Sequence, residues 1–196
     1  MDEKNQMIKK DEFIYDVKKR LANISIGPSA IRNQGAPGIV AISRDYFIRS
    51  INLVSFFDSL NNQNRFDKYL NRNTMKLLNE FPKAGKSWGA ARKGLNLYFR
   101  ELVYNKFIAE HYKLPVSRLE FDSLISPLEV PLDKDVAAGI KIDAMKLDIS
   151  LPSWPRIISL TPEVSAEYQN AALRIANNKK IARVHLDLTY WRNKSN

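Results

Sequence analysis

The stretch "SWGAARKGLNLYFRELVYNKFIAEHY", Ser87 to Tyr112, contains the longest helical pattern in the chain and indicates its fold class. Its apolar residues recur at intervals of three and four, which places them on one face of an α-helix. The stripe comprises Trp88, Ala91, Leu95, Phe99, Leu102 and Phe107. Because Pro115 cannot continue a helix, we predict a single helix over about residues 87–112.

Helical spacing also covers most of the remaining chain. Predicted helices occupy about residues 11–24, 39–60, 73–81, 117–125, 133–141, 162–178 and 181–193. Thr161, Pro162 and Glu163 form a typical helix start. No pair of alternating strands and no glycine-rich strand-to-helix turn is recognisable. The sequence therefore predicts an all-α fold, either one helical domain over residues 1–196 or two closely packed helical lobes within it.

The charge is the most prominent property of the composition. Lysine and arginine number 31 against 21 aspartate and glutamate residues, which gives a net charge of +10 and a sequence pI near 9.7. A chain this basic is expected to bind a polyanion, because each neutralised phosphate releases counterions. Apolar residues make up 44% of the chain, which is enough for a substantial core. The composition favours a folded protein that binds nucleic acid.

The composition also excludes several classes of site. The chain has no cysteine, so disulfides, thiolate zinc sites, iron–sulfur clusters and cysteine nucleophiles are excluded. Its first residues lack the apolar region of a secretory signal, and its apolar runs are too short to span a bilayer. We expect a cytoplasmic protein that does not interact with membranes.

Two short stretches have the residue types of a functional site. "PKAGKSWGAARKGLNLYF", residues 82–99, places glycines before a basic helix start, where exposed amides attract phosphate. "EVPLDKDVAAGIK", residues 129–141, places Asp133 at a helix start after a proline. Each has an ordinary explanation, because helix lysines are usually solvated and an aspartate N-cap contributes about 1 kcal/mol. Alone, neither stretch identifies a site.

Together, the two stretches resemble the helix-hairpin-helix DNA glycosylases of the HhH-GPD superfamily. "GAARKGLNLYF" is similar to the hairpin element of that family and the helix that follows it. The matching positions are Gly89, Arg92, Lys93 and Asn96. "VPLDKDVAAGIK" is similar to the segment with the catalytic aspartate, which the resemblance places at Asp133, and many members have histidine where this chain has Asp135. The resemblance implies two helical lobes, a helix-hairpin-helix element and a cleft between the lobes.

A third stretch, "IARVHLDLTYW" at residues 181–191, resembles the C-terminal helix of the archaeal 8-oxoguanine glycosylase branch. Asp187 and Trp191 have the spacing of that branch, and residues four apart lie on one helix face. A carboxylate and an aromatic ring would then contact the same base. Within residues 82–192 the resemblance covers about residues 82–141 and 181–192, and residues 1–81 are helical without a match.

The resemblance implies a DNA glycosylase that flips a modified base out of double-stranded DNA, breaks its N-glycosidic bond and cleaves the abasic strand. Lys93 is the expected nucleophile, with Lys86 as the alternative, and Asp133 is expected to stabilise positive charge on the sugar. The expected base contacts are Asp187, Trp191 and Trp88, with Trp154 as an alternative, and the expected DNA-backbone contacts are Gly89, Arg92 and Lys86. The implied target is 8-oxoguanine or another modified base, including a modified base of phage DNA. We expect a monomer without a metal or organic cofactor.

Two other interpretations remain open from the sequence. The hairpin and the charge also suit a basic helical DNA-binding module without catalysis, or a helical interaction domain. His111 and His185 have no evident partner motif, and Glu120 and Asp122 have less support than Asp133 as functional acids. We predict the glycosylase because three motifs occur in the family's order in a basic chain.

Overall fold

The computed structural model describes residues 3–27, 30–31 and 37–190, and this part of the chain contains ten α-helices and no β-strand. The helices are α1 (Glu3–Ser25), α2 (Ile39–Ser50), α3 (Leu53–Ser59), α4 (Gln63–Glu80), α5 (Trp88–Tyr104), α6 (Lys106–His111), α7 (Arg118–Leu124), α8 (Lys134–Met145), α9 (Pro162–Lys179) and α10 (Leu186–Tyr190). Short 3-10 turns lie at Lys83–Gly85, Ile157–Ser159 and Arg183–His185. The prediction of an all-α fold is confirmed.

Two of the predicted helices are interrupted by asparagine. Residues 39–60 form two helices, because Asn52 has an extended backbone and its side chain accepts a 2.8 Å hydrogen bond from the amide of Ser55. Residues 87–112 also form two helices, since the Asn105 side chain accepts 3.1 Å hydrogen bonds from two amides of the next helix. A short polar side chain that bonds nearby amides starts a new helix, and apolar spacing does not reveal it.

α4 and α5 form a helical hairpin joined by residues 81–87. α4 begins earlier than predicted, because the Asn62 side chain caps it. At the start of α5, the Ser87 hydroxyl accepts a hydrogen bond from the amide of Ala90 and donates one to the carbonyl of Ile157. These bonds tie the hairpin to the second 3-10 turn and fix where α5 begins.

The helices form two lobes, each with its own hydrophobic core. In the larger lobe α1, α2, α4 and α6 pack around α5. Its fully buried side chains include Phe47, Phe56, Leu95, Tyr98, Phe99 and Leu102. The smaller lobe consists of α8, α9 and α10, and its core includes Val136, Ile140, Tyr168 and Leu186. Because other helices cover it on several sides, α5 is buried along most of its length, charged residues included.

Residues 125–133 connect α7 of the larger lobe to α8 of the smaller one, and two buried arginines hold this connector. The Arg92 guanidinium of α5 donates hydrogen bonds of 2.8 and 2.7 Å to the two carboxylate oxygens of Glu129. The Arg183 guanidinium donates to two backbone carbonyls of the connector. Because both guanidinium groups are shielded from water, these bonds are strong and fix the path of the connector.

Replacing Glu129 with glutamine should destabilise the fold. The substitution leaves the buried Arg92 charge without its partner, which costs roughly 3–5 kcal/mol of unfolding free energy in comparable pairs. Burial alone would raise the pKa of Glu129, but the charges of Arg92 and Arg183 outweigh burial and lower the pKa below 4.5. The pair therefore stabilises the fold fully above about pH 4.5, and its contribution is lost as the pH falls through the lowered pKa.

Urea denaturation at several pH values tests this prediction. The matched control is Glu80→Gln, because the Glu80–Arg49 pair lies at the surface and contributes less than about 1 kcal/mol. We expect Glu129→Gln to lower the unfolding free energy at pH 7 far more than the control does. The difference between the variant and the wild type should shrink on acidification. Equal effects of the two substitutions would contradict the structural role of the buried pair.

Candidate active site

Lys93 is a buried lysine in the second turn of α5. Its side chain is 9% exposed, and its ammonium nitrogen lies 3.4 Å from Oδ2 of Asp133. Burial lowers the pKa of Lys93, and the charge of Asp133 opposes this shift without reversing it. At a given pH, a larger fraction of Lys93 is therefore a neutral amine than of an exposed lysine. The neutral amine is the form that acts as a nucleophile.

The two carboxylate oxygens of Asp133 face different groups. Oδ1 accepts hydrogen bonds of 3.0 and 2.9 Å from the backbone amides of Asp135 and Val136, so Asp133 is the N-cap of α8. Oδ2 faces Lys93 across the boundary between the lobes. The predicted helix start is confirmed, and the cap holds the carboxylate in a fixed orientation beside the lysine.

A cavity of about 560 Å³ opens between the lobes, and Lys93 and Asp133 lie in its wall. One face of α5 lines it with residues at helical intervals, namely Lys93, Leu97, Arg100 and Tyr104. The end of α1 and the start of α10 also contribute to the wall. This volume lies within the range of small-molecule sites and accommodates a nucleobase.

The surroundings of the cavity combine apolar side chains with positive charge. Ile24 and Leu188 line the cavity, and they are 56% and 65% exposed. A neighbouring opening of about 810 Å³ shares Lys93 and Asp133 with the cavity. The opening is also lined by Trp154, Lys134 and Arg156. Apolar and aromatic side chains and charged groups of both signs therefore surround the lysine–aspartate pair, since Asp135 also lines both spaces.

Asp187 lies in the wall of the same cavity and forms an ion pair with Arg100. Its side chain is 4% exposed, whereas Arg100 is 18% exposed and also contacts Glu101. The pair joins α5 to α10, so a second ion pair crosses the boundary between the lobes. A contact between Asp187 and a base stays a prediction. Trp191, the other residue of this motif, lies outside the described residues.

Arg92 and Trp88, predicted as a DNA-backbone contact and a base contact, do not line the cavity that contains Lys93 and Asp133. Arg92 is 7% exposed, and its guanidinium is bound to Glu129 and Asn71, so it is not available to a DNA phosphate. Trp88 lines a separate cavity of about 430 Å³, where its ring lies 5.3 Å from the Arg92 guanidinium. Arg92 and Lys93 are adjacent in a helix and project about 100° apart, which is why they face different cavities.

Gly89 and Lys86 differ in their accessibility. Gly89 is buried, and a Cβ at this position would lie 2.3 Å from the carbonyl oxygen of Ile157. Close packing explains the glycine at this position, and the DNA contact of Gly89 stays a prediction. Lys86 is exposed in the turn before α5 and is not among the residues that line the cavity. The buried position beside Asp133 favours Lys93 over Lys86 as the nucleophile, and a phosphate contact by Lys86 stays a prediction.

Arg100 and Tyr104 also line the cavity, and they were not among the site residues predicted from the sequence. They follow Lys93 by seven and eleven positions, which is the spacing of one helix face. The helical spacing of α5 therefore predicts that Arg100 and Tyr104 share a face with Lys93, once Lys93 is taken as the site lysine. Trp154, suggested only as an alternative base contact, packs edge-on against Tyr168 with ring centroids 5.1 Å apart. It lies between α8 and α9, where no periodic pattern indicates its position.

Comparisons of the chain with protein-family models, with curated proteins and with solved structures give no match. Within residues 3–27, 30–31 and 37–190, no group of three or more histidine, aspartate or glutamate side chains is placed to hold a metal ion. None of the helices in that part of the chain has the length and apolar character of a membrane span. The functional interpretation therefore depends on the geometry of the site.

Replacing Gly89 with alanine should destabilise the protein by roughly 1–3 kcal/mol, the usual effect of overpacking a tight position. The added Cβ meets the backbone carbonyl of Ile157, which moves only if the 3-10 turn shifts. Gly94→Ala is the matched control, because its Cβ would lie 3.0 Å from the flexible end of the Ile26 side chain. We expect the control to change stability by less than about 1 kcal/mol, helped by the helix propensity of alanine. Urea unfolding of both variants measures the difference, and equal stabilities would contradict the packing role of Gly89.

Proposed function

We propose that this protein is a DNA glycosylase that excises a modified base and then cleaves the abasic strand. The observation that supports the proposal best is the buried Lys93 amine, 3.4 Å from the Asp133 carboxylate at a cavity of about 560 Å³. A lysine nucleophile needs a lowered pKa and a neighbouring acceptor for its proton, and Lys93 has both. The resemblance of the surrounding motifs to helix-hairpin-helix glycosylases supports the same assignment.

The first chemical step requires an extruded nucleotide whose C1′ lies next to Lys93. Asp133 accepts a proton from the Lys93 ammonium group, and the neutral amine attacks C1′. The bond between C1′ and the base nitrogen breaks, and the base leaves with the bonding electron pair. The base also takes the proton held by Asp133, which restores a carboxylate beside the sugar. The proton passes to the base while its bond to C1′ breaks, so the carboxylate forms together with the positive charge on the sugar and stabilises it.

The second step adds strand cleavage. The bond between C1′ and the ring oxygen then breaks as a proton passes from the amine to that oxygen, so that the ring opens to a hydroxyl and Lys93 and C1′ are joined as a Schiff base. Loss of a proton from C2′ then drives departure of the 3′ phosphate with the electrons of its C3′–O bond. Water finally hydrolyses the Schiff base and regenerates the lysine. This sequence gives abasic-site lyase activity without a cofactor.

The charge and the surroundings of the cavity suit a DNA substrate. A net charge of +10 attracts phosphates and releases their counterions. Flipping a base costs a few kcal/mol, which contacts with the exposed Ile24 and Leu188 and stacking on Trp154 would offset. The target is 8-oxoguanine or another modified base, and a modified base of phage DNA would undergo the same chemistry.

Replacing Lys93 with methionine should abolish covalent capture of DNA. Borohydride reduces a Schiff base to a stable amine, so the wild type should form an adduct with a duplex that contains one abasic site. Methionine fills a similar space without an amine, and the adduct should be lost. Lys68→Met, at an exposed position of α4, is the matched control and should retain the adduct. Denaturing gel electrophoresis measures both, and Lys86→Met separates the two candidate lysines, since loss of the adduct in that variant alone would reassign the nucleophile.

A basic DNA-binding module without catalysis is the other function that the charge supports. Such a module would bind the abasic duplex with an affinity that falls with salt, yet the wild type would form no adduct and release no base. Absent or salt-insensitive binding would contradict both DNA-directed functions. The trapping experiment and a salt titration on the same duplex therefore distinguish the two.

Replacing Asp133 with asparagine should separate its charge from its capping contact. Asparagine is as good an N-cap as aspartate, so the capping contribution is kept and the stability that is lost comes from the contact of the carboxylate with Lys93. Base release should nevertheless fall by roughly 100- to 1,000-fold, because the positive charge on the sugar loses its carboxylate. Thr161→Ala is the reciprocal control, since it removes the N-cap of α9 at about 1 kcal/mol and leaves the cavity intact. Thr161→Ala should lower the unfolding free energy and leave base release unchanged, and full base release by Asp133→Asn would contradict the proposed role.

A further inference from the structure

A hydrogen-bonded chain of three side chains reaches the wall of the cavity. Nε2 of His185 lies 2.8 Å from Oδ1 of Asp122 in α7, and Nδ1 of His185 lies 2.6 Å from the hydroxyl of Tyr104 in α5. The rings of Tyr104 and His185 are stacked at 14°, with centroids 5.6 Å apart. Tyr104 lines the cavity that contains Lys93 and Asp133. Three separate elements therefore fix the position of this phenol.

The direction of the hydrogen bonds follows from the chemistry of the three groups. A carboxylate only accepts hydrogen bonds, so the neutral His185 ring has its proton on Nε2 and donates it to Asp122. Nδ1 then has only a lone pair, and the Tyr104 hydroxyl donates its proton to that nitrogen. The single proton of Tyr104 is thereby used within the protein. Its oxygen retains a lone pair and only accepts further hydrogen bonds.

The Tyr104 oxygen is suited to accept a hydrogen bond because the phenol stays protonated and uses its proton on His185. Burial raises the pKa of Tyr104, the charge of Arg100 opposes the rise, and Asp122 and Glu101 add to it. A phenol held in one orientation by a stacked histidine loses little freedom when a ligand binds. The oxygen is thus a preorganised acceptor.

We propose that the Asp122–His185–Tyr104 relay makes Tyr104 a determinant of base selection, which accepts a hydrogen bond from an N–H group of the extruded base. The inference rests on the proposed glycosylase function. The matching ligand class is a nucleobase with an amino or ring N–H at the edge that meets Tyr104. A base with only a lone pair at that position is disfavoured, because two acceptors would face each other without a proton between them.

The relay also predicts how base selection depends on pH. When His185 is protonated, both ring nitrogens donate, so Nδ1–H donates to the Tyr104 oxygen and the phenol proton is free to point into the cavity. Tyr104 then donates a hydrogen bond, and the preference for an N–H group is lost. The charged groups that act on the Tyr104 hydroxyl are Arg100, Asp122 and Glu101. Arg118 lies 3.9 Å from Asp122, and Arg100 is paired with Asp187.

The experiment compares the wild type with Tyr104→Phe, which removes only the hydroxyl, and with Tyr15→Phe, whose ring is exposed on α1. Base release is measured on duplexes with a single 8-oxoguanine, hypoxanthine, uracil or 5-hydroxymethylcytosine, and borohydride trapping is measured on the abasic duplex. We expect Tyr104→Phe to lower release of the best base roughly 10-fold and to narrow the range of rates among the four bases. Trapping on the abasic duplex should stay within about twofold, because that DNA has no base to contact. Tyr15→Phe should match the wild type in both assays.

The outcomes separate this inference from the proposed function. If the wild type traps no abasic DNA, the proposed function fails. If the wild type traps abasic DNA but releases none of the four bases, the role of Tyr104 in base selection is contradicted while the lyase activity stands. The same conclusion follows if Tyr104→Phe releases bases at the wild-type rates and ratios. The pH profile is the second readout: the ratio of wild-type to Tyr104→Phe release should fall towards one as His185 is protonated. A ratio that is independent of pH would also contradict the relay.

Discussion

The buried contact between Arg92 and Glu129 determines where the connector crosses α5, and the site depends on that crossing. Arg92 and Lys93 are neighbours on the helix, and Glu129 and Asp133 lie four residues apart on the connector. Once Arg92 holds Glu129 through both carboxylate oxygens, the connector has little freedom to slide. Asp133 therefore reaches the start of α8 beside the lysine. The Arg92–Glu129 ion pair thus sets the register, and the adjacent Lys93–Asp133 pair lies in the wall of the cavity.

The burial of Lys93 lowers the stability of the fold, which suggests that the lysine has a role other than packing. A lysine in this position would be replaced at little loss by an apolar side chain of similar volume if packing were its only role, because desolvating an ammonium group is unfavourable. The contact with Asp133 offsets part of that penalty while the pKa of Lys93 stays below its ordinary value. A titratable group shifted by burial next to a specific partner in a cleft is the pattern of a functional site. The ion pair alone does not explain why the chain keeps a buried lysine.

The sequence predicted those features that depend on local chemistry. The Asp133 N-cap and the stripe along α5 are readable from neighbouring residues, and both are present. The helix boundary at Asn105 was not predicted. An asparagine inside an apolar pattern resembles a solvent-exposed helix position, and only the structure shows that its side chain caps the next helix.

Residue spacing does not predict contacts between side chains that are distant in the sequence. Glu129 lies 37 residues from Arg92, and Asp122 lies 63 residues from His185. The sequence therefore assigned Arg92 to DNA and left His185 without a partner. The choice between Lys93 and Lys86 also required the fold, since depth of burial rather than motif separates them.

The distribution of charge within the protein gives the cavity a sign opposite to that of the chain. The chain has a net charge of +10, yet four carboxylates and two cations line the cavity. These groups are Asp133, Asp135, Asp187, Glu101, Lys93 and Arg100. A negative cavity repels phosphates, so the DNA backbone is expected to stay on the basic exterior while an uncharged base enters. The same field favours the positive charge that builds on the sugar as the glycosidic bond breaks, and this charge is absent from the bound substrate. In the proposed glycosylase, the cavity would therefore stabilise the transition state more than the ground state, as catalysis requires.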